Sequence, residues 1–440
     1  MLIYRILSIA LFPFIEIYLF IRVAKKKEDK KRLKERFGQS SLTRPQGQVI
    51  WIHAVSVGEA NSALTLLEEL LSFYPSSSIL LTTTTLTSAA IVASKLREFN
   101  GRVIHQFLPI DSYFCVKNFL NFWHPQMVIF VESEIWPNLI FEARQMGVPT
   151  FLVNARMSEK SFSKWLLAKK FGFEIFDNFT AIFVQSEDDK KRFSQLSNQE
   201  ILFYGNLKSQ AQNLGFDAEK LEKLKSQIGE RRFWIAASTH KGEEEIALQV
   251  HQSLKKEFPD LLTIIIPRHP NRAEEIKILL NGINFSQRSK GEAITNLSEI
   301  YLADSLSELG IFYRLAKFTF VGGSLTEVGG HNPFEAIKLG CAVISGRFLF
   351  NFKEIYRELE VANACVIVES VKELAVAVER FLKDKKFCQD MSSKAAEVIK
   401  NSENIAQKIV ARISNDGSGF NKIRYKKVKP APKAAPRPLA

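Results

Sequence analysis

Residues 49–72 read VIWIHAVSVGEANSALTLLEELLS, an apolar run followed by a polar turn and an apolar pattern with helical spacing. The run 49–53 is typical of a buried strand, and the spacing over 59–72 predicts a helix. The next apolar run, 79–83, predicts a second strand, and residues 88–97 predict a second helix. Strands that alternate with helices in this way indicate a parallel sheet with crossover helices.

The alternation continues along the chain in two series. Further strands are predicted at 127–131, 150–153 and 181–184 in the first series, and at 233–237, 262–266, 300–302, 318–321 and 342–345 in the second. Single cores stop growing near roughly 250–300 residues, so a chain of 440 residues with two series predicts two domains. We expect an α/β fold with an N-terminal domain over 49–209, a linker at 210–216 and a C-terminal domain over 210–414.

The positive charge is concentrated outside both predicted domains. Residues 22–36 carry nine Lys/Arg against three acids, and residues 421–440 carry seven Lys/Arg and no acid. These two surpluses account for the whole formal net charge of +13. A nucleic-acid enzyme usually spreads its basic surface over the folded domains, so we expect no nucleic-acid partner and infer an anionic membrane surface instead.

An apolar segment precedes the first basic cluster. Residues 2–21 read LIYRILSIALFPFIEIYLFI, about long enough to span a bilayer but interrupted by Arg5, Pro13 and Glu16. The basic residues that follow predict that the rest of the chain is cytoplasmic. We expect a membrane anchor over 1–23 and a basic juxtamembrane segment over 24–48. A spanning helix and an interfacial helix both fit, and a buried core helix is the alternative.

Two further features concern the tail and metals. The tail, 415–440, is basic and proline-rich, so we expect it to be disordered.

The four cysteines are scattered along the chain. The acidic run from Glu187 to Asp189 follows Ser186, which indicates a capped helix start rather than a metal site. We therefore expect no metal and a reducing compartment.

Acidic residues follow two predicted strands of the first series. Ser56 and Glu59 have the spacing of a helix capping box, but Glu59 could equally be a general base. Glu132 and Glu134 follow the strand 127–131, where one could start a helix and one could be catalytic. Spacing alone leaves both questions open.

In the second series, basic and glycine-rich segments follow the strands. Arg268 comes just after the strand 262–266, where an arginine could bind a phosphate, whereas the neighbouring His269 is more typical of a structural residue. Glycines at 322–323 and 329–330 lead into a helix start, a junction whose backbone N–H groups favour phosphate. Asn332 and Glu335 have capping-box spacing, although Glu335 could also accept hydrogen bonds from ribose hydroxyls.

Taken together, these segments resemble the transferases of 3-deoxy-D-manno-octulosonic acid (Kdo) that act on lipid A precursors. The matching stretches are WIHAVSVGE (51–59), VESEIWPNL (131–139), NARMSEKS (154–161), GNLK (205–208), AASTHKGEEE (236–245), PRHP (267–270), ADSLSEL (303–309) and GGSL…GGHNPFEA (322–336). The resemblance covers residues 1 to about 400. It implies a GT-B glycosyltransferase with two Rossmann-like domains facing across a cleft and an N-terminal anchor in the cell inner membrane, on its cytoplasmic side.

The resemblance also implies a reaction and its residues. The enzyme would transfer Kdo from CMP-Kdo to lipid IVA with no cofactor and no metal in the catalytic step. Glu59 matches the proton acceptor, Glu132 and Lys208 match transition-state stabilisers, and Ser56 and Gly58 are expected to contact the acceptor. The positions that match CMP-binding segments are Pro267, Arg268, Leu306, Ser307, Glu308, Asn332, Pro333, Phe334 and Glu335.

Two departures and two alternatives remain. Ser209 and Gln210 follow GNLK where the family usually has Phe-Asp, and residues 345–352 lack the usual Gly-Pro-His. These differences concern the donor pocket rather than the reaction.

There are two alternative functions. One is a GT-B enzyme that uses a UDP-sugar, and the other is a membrane-tethered binding protein without activity. Stabilisation by UDP and not CMP would indicate the first, and binding without turnover the second.

Overall fold

The apolar run at residues 49–53 forms the central strand of a parallel sheet. The strands of this sheet are β1 (Val49–His53), β2 (Ser78–Thr83), β3 (Val103–Phe107), β4 (Met127–Val131), β5 (Thr150–Ala155), β6 (Ala181–Val184) and β7 (Glu200–Phe203). They lie in the order β3-β2-β1-β4-β5-β6-β7. Every residue of β1 is buried, and Trp51 pairs with Leu80 on one side and Val128 on the other. This computed structural model describes residues 1–55, 57–210, 213–400 and 404–416.

Helices cover both faces of the first sheet. The α-helices of residues 1–193 are α1 (Leu2–Ala10), α2 (Phe12–Ala24), α3 (Val57–Phe73), α4 (Leu86–Lys95), α5 (Tyr113–Trp123), α6 (Pro137–Gln145), α7 (Glu159–Leu167), α8 (Lys169–Phe176) and α9 (Glu187–Phe193). One face buries Trp51 with Phe119 and Phe130, and the other buries Ile52 with Leu66. A sheet covered on both faces explains why its central strands are continuous apolar runs.

A second parallel sheet follows. Its strands are β8 (Phe233–Thr239), β9 (Leu262–Pro267), β10 (Phe285–Gln287), β11 (Ile300–Leu302), β12 (Phe318–Val321), β13 (Ala342–Gly346) and β14 (Cys365–Val368), in the order β10-β11-β9-β8-β12-β13-β14. Its helices are α10 (Ala218–Ile228), α11 (Glu243–Leu254), α12 (Ala273–Leu279), α13 (Leu309–Leu315), α14 (Phe334–Lys338), α15 (Lys353–Val361), α16 (Val371–Lys383) and α17 (Lys385–Lys400). The two α/β domains expected from the two series are therefore present.

The predicted domain boundary is wrong at the C-terminal end. The chain divides into one unit of Met1–Leu207 with the residues from Ile405 onward, and a second unit of Lys208–Asn404. The last helix, α18 (Ile405–Asp416), was expected in the C-terminal domain. Instead, Ile409 and Ile413 are buried in the apolar cluster of the first sheet. An apolar stripe on one helix face can be read from sequence, but the sheet that covers it cannot. Residues 417–440, which hold most of the predicted tail, lie outside the described residues.

The N-terminal apolar segment forms two helices rather than one. In the described part of the chain no single helix is both long and apolar enough to cross a bilayer, whereas α1 and α2 together meet that test with a bend of 52° between them. Pro13 lies in the first turn of α2, where its ring and missing N–H prevent a continuous helix. The core-helix alternative is also wrong, because α1 has no buried residue and α2 buries only Leu19.

Part of the basic juxtamembrane segment is folded against the first unit. Glu28 accepts hydrogen bonds from Arg22 and Arg36, and Glu35 accepts from Arg32. Glu28, Glu35 and Arg36 are buried. The lysines of the same segment are exposed to solvent, namely Lys25, Lys26, Lys27, Lys30, Lys31 and Lys34. The arginines thus serve packing, while the lysines keep their charge on the surface.

Candidate active site

In the first unit, Glu59 lies in the first turn of α3, just after the carboxyl end of β1. Its Oε2 accepts a hydrogen bond from the backbone N–H of Val55 at 2.7 Å. In the capping box that the spacing predicts, one half is a bond from this glutamate to the N–H of Ser56 itself, so the bond to Val55 is a different one and the capping box stays a prediction. Ser56, the other half and a predicted acceptor contact, lies outside the described residues, and Gly58 lies in the first turn of α3. This bond fixes the direction of the Glu59 carboxylate.

Glu132 directly follows β4, the neighbour of β1 in the sheet. It is 7% exposed and adopts φ of 62°, a left-handed conformation that is uncommon outside glycine. Its backbone N–H still pairs with Val153 O at 2.9 Å, so the ladder continues up to this residue. Backbone strain of this kind is found where a side chain must be held in one direction, as at functional sites.

Glu134 belongs to a polar network of the same loop. Its Oε2 accepts from the indole N–H of Trp136 at 2.7 Å and lies 3.4 Å from Nε2 of His53. The Nδ1 of His53 contacts the carbonyl oxygen of Thr82 at 3.1 Å, so this nitrogen carries the proton. The Glu134 carboxylate is held by the Trp136 hydrogen bond and lies beside the buried His53 ring. These contacts orient the loop that carries Glu132.

Asp111 caps α6, the helix for which Glu132 or Glu134 was one possible start. Its carboxylate accepts from the backbone N–H groups of Asn138 and Leu139, the start of α6, at 3.1 and 2.9 Å. Tyr4 of α1 donates to the same carboxylate at 2.9 Å. Burial raises the pKa of Asp111 to about 6, against the lowering effect of these hydrogen bonds. No local spacing predicts this cap, because Asp111 is far from α6 in the chain.

In the second unit, Glu243 organises the start of the glycine-rich loop. Its carboxylate accepts from the backbone N–H groups of Gly323, Ser324 and Leu325 at 2.6, 2.9 and 2.9 Å, and from His240 N at 2.9 Å. A buried protein carboxylate thus takes the place of an anion at residues 323–325, and phosphate binding at the helix start beside Pro333 stays a prediction. The acidic run Gly-Glu-Glu-Glu was the only signal of this role.

The later part of the glycine-rich loop brings several predicted residues together. Asn332 accepts from the N–H of Phe334 at 3.1 Å and donates to Glu335 at 3.3 Å. Burial raises the pKa of the Glu335 carboxyl, and Asn332, Arg268 and Lys208 oppose that rise. Arg268 and Lys208 are thus close enough to act electrostatically on Glu335 although 60 residues separate them in the sequence.

Other predicted CMP-binding residues are placed differently. Pro267 ends β9 and is buried, Pro333 precedes α14, and the Phe334 side chain is packed in the apolar core. After β11, Leu306 is 75% exposed and Ser307 adopts φ of 63°. These five residues therefore contribute backbone groups and uncharged side chains near the strand ends, and no charged side chain.

Glu308 is held by cations of its own unit. Arg288 Nε donates to it at 2.8 Å and Lys220 Nζ lies 2.8 Å away. The hydrogen bond from Arg288 is the main reason that its pKa falls to about 2. The Glu308 carboxylate therefore fixes the loop that carries Leu306 and Ser307.

Over residues 1–55, 57–210, 213–400 and 404–416, no group of three or more His, Cys, Asp or Glu side chains is arranged to hold a metal ion. Ser186 accepts from the N–H of Asp189 at 3.0 Å, so Ser186 caps α9 and the acidic run lies in its first turn, as predicted. A metal-independent reaction stays a prediction.

Comparisons with known proteins identify the family. Residues 31–211 match the family model described as 3-deoxy-D-manno-octulosonic-acid transferase (kdotransferase), and residues 230–398 match that of glycosyl transferases group 1. The 3-deoxy-D-manno-octulosonic acid transferase of Rickettsia bellii is 35% identical over 384 residues, covering 87% of this chain and 91% of that protein. The chain belongs to the Kdo transferase family.

Two further similarities agree with this assignment. The Kdo transferase of Haemophilus influenzae is 33% identical over 410 residues, covering 90% of this chain and 94% of that protein. A structure of UDP-GlcNAc 2-epimerase from Neisseria meningitidis bound to UDP-GlcNAc is 15% identical with a TM-score of 0.59, covering 84% of this chain and 100% of that chain. Identity this low shows the fold alone. This Kdo transferase is a glycosyltransferase with two parallel-sheet α/β domains of the GT-B type.

The segment 345–352, where this Kdo transferase departs from the family pattern, supports the glycine-rich loop. Phe348 N donates to Ser324 O at 2.9 Å, and Asn351 N donates to Gly329 O at 2.9 Å. A side chain at Gly329 would collide with the Phe350 ring, which lies directly where a Cβ would be. The departing residues therefore hold the loop in place through their backbone and the Phe350 ring.

Proposed function

We propose that this Kdo transferase transfers Kdo from CMP-Kdo to the lipid A precursor lipid IVA in lipopolysaccharide biosynthesis. In this proposal the first unit holds the lipid and the second unit holds the nucleotide sugar. The observation that carries it is the electrostatic convergence of Arg268 and Lys208 on Glu335. Two cations suit a phosphate, and a carboxylate beside them suits ribose hydroxyls. Family membership supplies the sugar.

The residues supply what transfer from an activated donor requires. CMP is a good leaving group, so the enzyme must orient the acceptor hydroxyl, remove its proton and stabilise the developing charge. We assign proton removal to Glu59, whose carboxylate is oriented by the Val55 N–H. We assign stabilisation of the transition state to Glu132 and Lys208, with no metal in the catalytic step.

Glu59→Gln tests the assignment of the base. The amide oxygen can still accept from Val55 N–H, so α3 should keep its start, but the amide cannot take a proton. We expect kcat for transfer from CMP-Kdo to lipid IVA to fall about 10²–10⁴-fold with KM little changed. The rate of transfer is measured from the mass of product formed when the enzyme is incubated with lipid IVA and CMP-Kdo. Glu69→Gln on the same helix is the control and should keep wild-type kcat. Full transfer by Glu59→Gln would remove Glu59 from the mechanism.

We further propose that α1 and α2 bind the cytoplasmic face of the inner membrane as an interfacial pair. Arg5 is paired with Glu142, and Ser8 Oγ accepts from Asn138 at 3.0 Å, so one side of α1 is held against the first unit. Large apolar residues of α1 are exposed, namely Leu2, Ile3, Ile6 and Leu7, and α2 exposes Phe14, Ile17 and Phe20. An apolar helix face beside exposed lysines is the pattern of an interfacial anchor on anionic lipid.

A further inference from the structure

Two histidine side chains of the second unit meet edge to edge after adjacent strands. His240 follows β8 and His331 lies in the loop after β12, with their Nε2 atoms 2.8 Å apart. The ring planes differ by 10° and the ring centroids are 5.0 Å apart. Rings stacked face to face cannot bring two nitrogens this close. The imidazoles therefore lie nearly in one plane and share an N–H···N hydrogen bond.

The separation of the two nitrogens suits a shared proton rather than a shared metal ion. Two imidazole nitrogens on one tetrahedral Zn²⁺, each at about 2.0–2.1 Å, lie roughly 3.4 Å from each other. The observed 2.8 Å is shorter than that. A hydrogen-bonded histidine pair is the arrangement that the geometry indicates.

The proton count of this pair leaves one donor for a ligand. Two neutral imidazoles carry two N–H protons, and one of these lies in the shared bond. The ring whose Nε2 accepts must then carry its proton on Nδ1. Within the described ranges, neither Nδ1 has a hydrogen-bond partner. The pair thus presents one N–H donor and one bare nitrogen.

The surrounding loops hold the pair in position. Glu243 accepts from the backbone N–H of His240 and from that of Gly323, so one carboxylate ties together the two loops that carry the histidines. A Cβ at Gly323 would lie 2.9 Å from Cδ2 of His331. Only glycine at that position leaves room for the His331 ring.

Burial, together with cationic neighbours, keeps the pair neutral. Burial, followed by Arg268 and then His240 and His269, lowers the pKa of His331 to about 3. Burial and His269 likewise lower the pKa of His240, which Glu244 opposes. Arg272 also faces His240, but it is bound to Glu244.

Arg268 is the cation beside the pair. Its backbone N–H donates to Thr239 O at 3.0 Å, next to His240, and its side chain is exposed. An anion bound at Arg268 would reduce the repulsion that adds to burial in keeping the histidines unprotonated. Charge at this position and proton uptake by the pair are therefore coupled.

We propose that the His240–His331 pair is part of the donor site, where it donates a ring N–H to the nucleotide phosphate beside Arg268 and takes up a proton when that phosphate binds. The inference rests on the proposed donor site in the second unit. No covalent step is involved: the proton comes from solvent and returns to it when the nucleotide leaves. His240 and His331 are thus positioning residues for the donor.

The test is calorimetric titration of the full chain with the 5′-phosphate methyl ester of CMP near pH 6. A phosphate monoester itself titrates near pH 6, whereas the methyl ester keeps a single charge, so it takes up no proton. Measuring the enthalpy in two buffers of different ionisation enthalpy gives the number of protons taken up. We expect uptake by the wild-type chain. We expect His331→Gln and His240→Gln to abolish it and to weaken binding about tenfold.

His269→Gln, which changes a neighbouring exposed ring outside the pair, is the matched control and should keep the uptake. If one variant fails to fold, as judged by its melting curve, the other still decides the outcome. Binding without uptake, or uptake that persists in a folded pair variant, would overturn the role of the pair. If the wild-type chain binds neither CMP nor its methyl ester, the proposed donor site itself fails.

Discussion

At the scale of single residues, Glu243 shows how one side chain can shape a whole loop. Its carboxylate accepts four backbone N–H groups, two on each oxygen. In Glu243→Gln, one oxygen becomes an NH₂ group that faces two donors and bonds neither. We expect the second unit to lose about 2–4 kcal/mol of stability, a fall of several degrees in its melting temperature.

The test compares the melting temperatures of Glu243→Gln and Glu245→Gln in thermal denaturation. Glu245 accepts one backbone N–H among the described residues, that of Gly242 at 3.0 Å, so its variant should cost about 1 kcal/mol or less. Equal melting temperatures for the two variants would show that Glu243 does not hold the loop.

A second residue-scale prediction concerns acid stability. Arg32 donates to Nδ1 of His105 at 3.1 Å, so the proton sits on Nε2, which donates to Thr83 Oγ1 at 2.9 Å. Burial, with Arg32 and Arg36, lowers the pKa of His105 from 6.5 to about 3. Between these values the unfolded chain binds a proton that the folded chain does not. Stability should therefore be complete above pH 6.5 and fall as the pH falls.

Urea unfolding at a series of pH values measures this effect. His105 should contribute a slope of up to about 1.4 kcal/mol per pH unit, and His105→Gln should remove that contribution. Identical slopes for the wild-type chain and the variant would mean that His105 titrates normally in the fold.

At the scale of elements, α18 is the clearest case of a helix whose partner is set by packing. Its buried residues recur with helical spacing, and its closest helix is α3, which carries Glu59. Ile409→Ala should lower stability by about 2–4 kcal/mol, because it leaves a cavity between α18 and the first sheet. Gln407→Ala, on the exposed side, is the control and should cost less than about 0.5 kcal/mol.

Hydrogen exchange shows which unit the Ile409→Ala change affects. We expect faster exchange in peptides of α3 and no change in peptides of the second sheet. Faster exchange confined to the second sheet would show that α18 packs in the C-terminal domain, as the sequence predicted.

At the scale of the whole molecule, exposed apolar surface and exposed positive charge occur together in the N-terminal segment. Each buried large apolar side chain contributes about 1.5–3 kcal/mol to membrane binding. Replacing Ile3, Phe14 and Ile17 by serine should therefore reduce co-sedimentation with anionic vesicles more than hundredfold. The matched control replaces three exposed apolar residues of the second unit, Ile278, Leu297 and Val361, which are 76%, 76% and 79% exposed.

The lysines predict a salt-dependent part of the same binding. Changing Lys26, Lys30 and Lys31 to glutamine should weaken vesicle binding by about 1 kcal/mol for each charge and reduce its dependence on salt. If the serine variant and the second-unit control bind vesicles equally well, α1 and α2 are not the membrane contact.

How much of the fold the sequence predicts depends on where each strand lies. The ten predicted strands are all present, and the four that were missed, β3, β7, β10 and β14, are the edge strands of the two sheets. Central strands are buried on both faces and appear as continuous apolar runs. The edge strands give a weaker signal, because β7 has no fully buried residue, β10 has three residues, β14 has four, and β3 contains His105 and Gln106.

The sequence by itself determined the two α/β units, the family and the strand ends that carry Glu59, Glu132, Arg268 and Glu335. These follow from local periodicity and from residues adjacent in the chain. Only the tertiary structure decided that Glu243 fills the start of the glycine loop, that α18 returns to the first unit and that His240 meets His331. Each of these contacts joins residues far apart in the sequence, and packing and buried hydrogen bonds, which local pattern does not encode, select the partner.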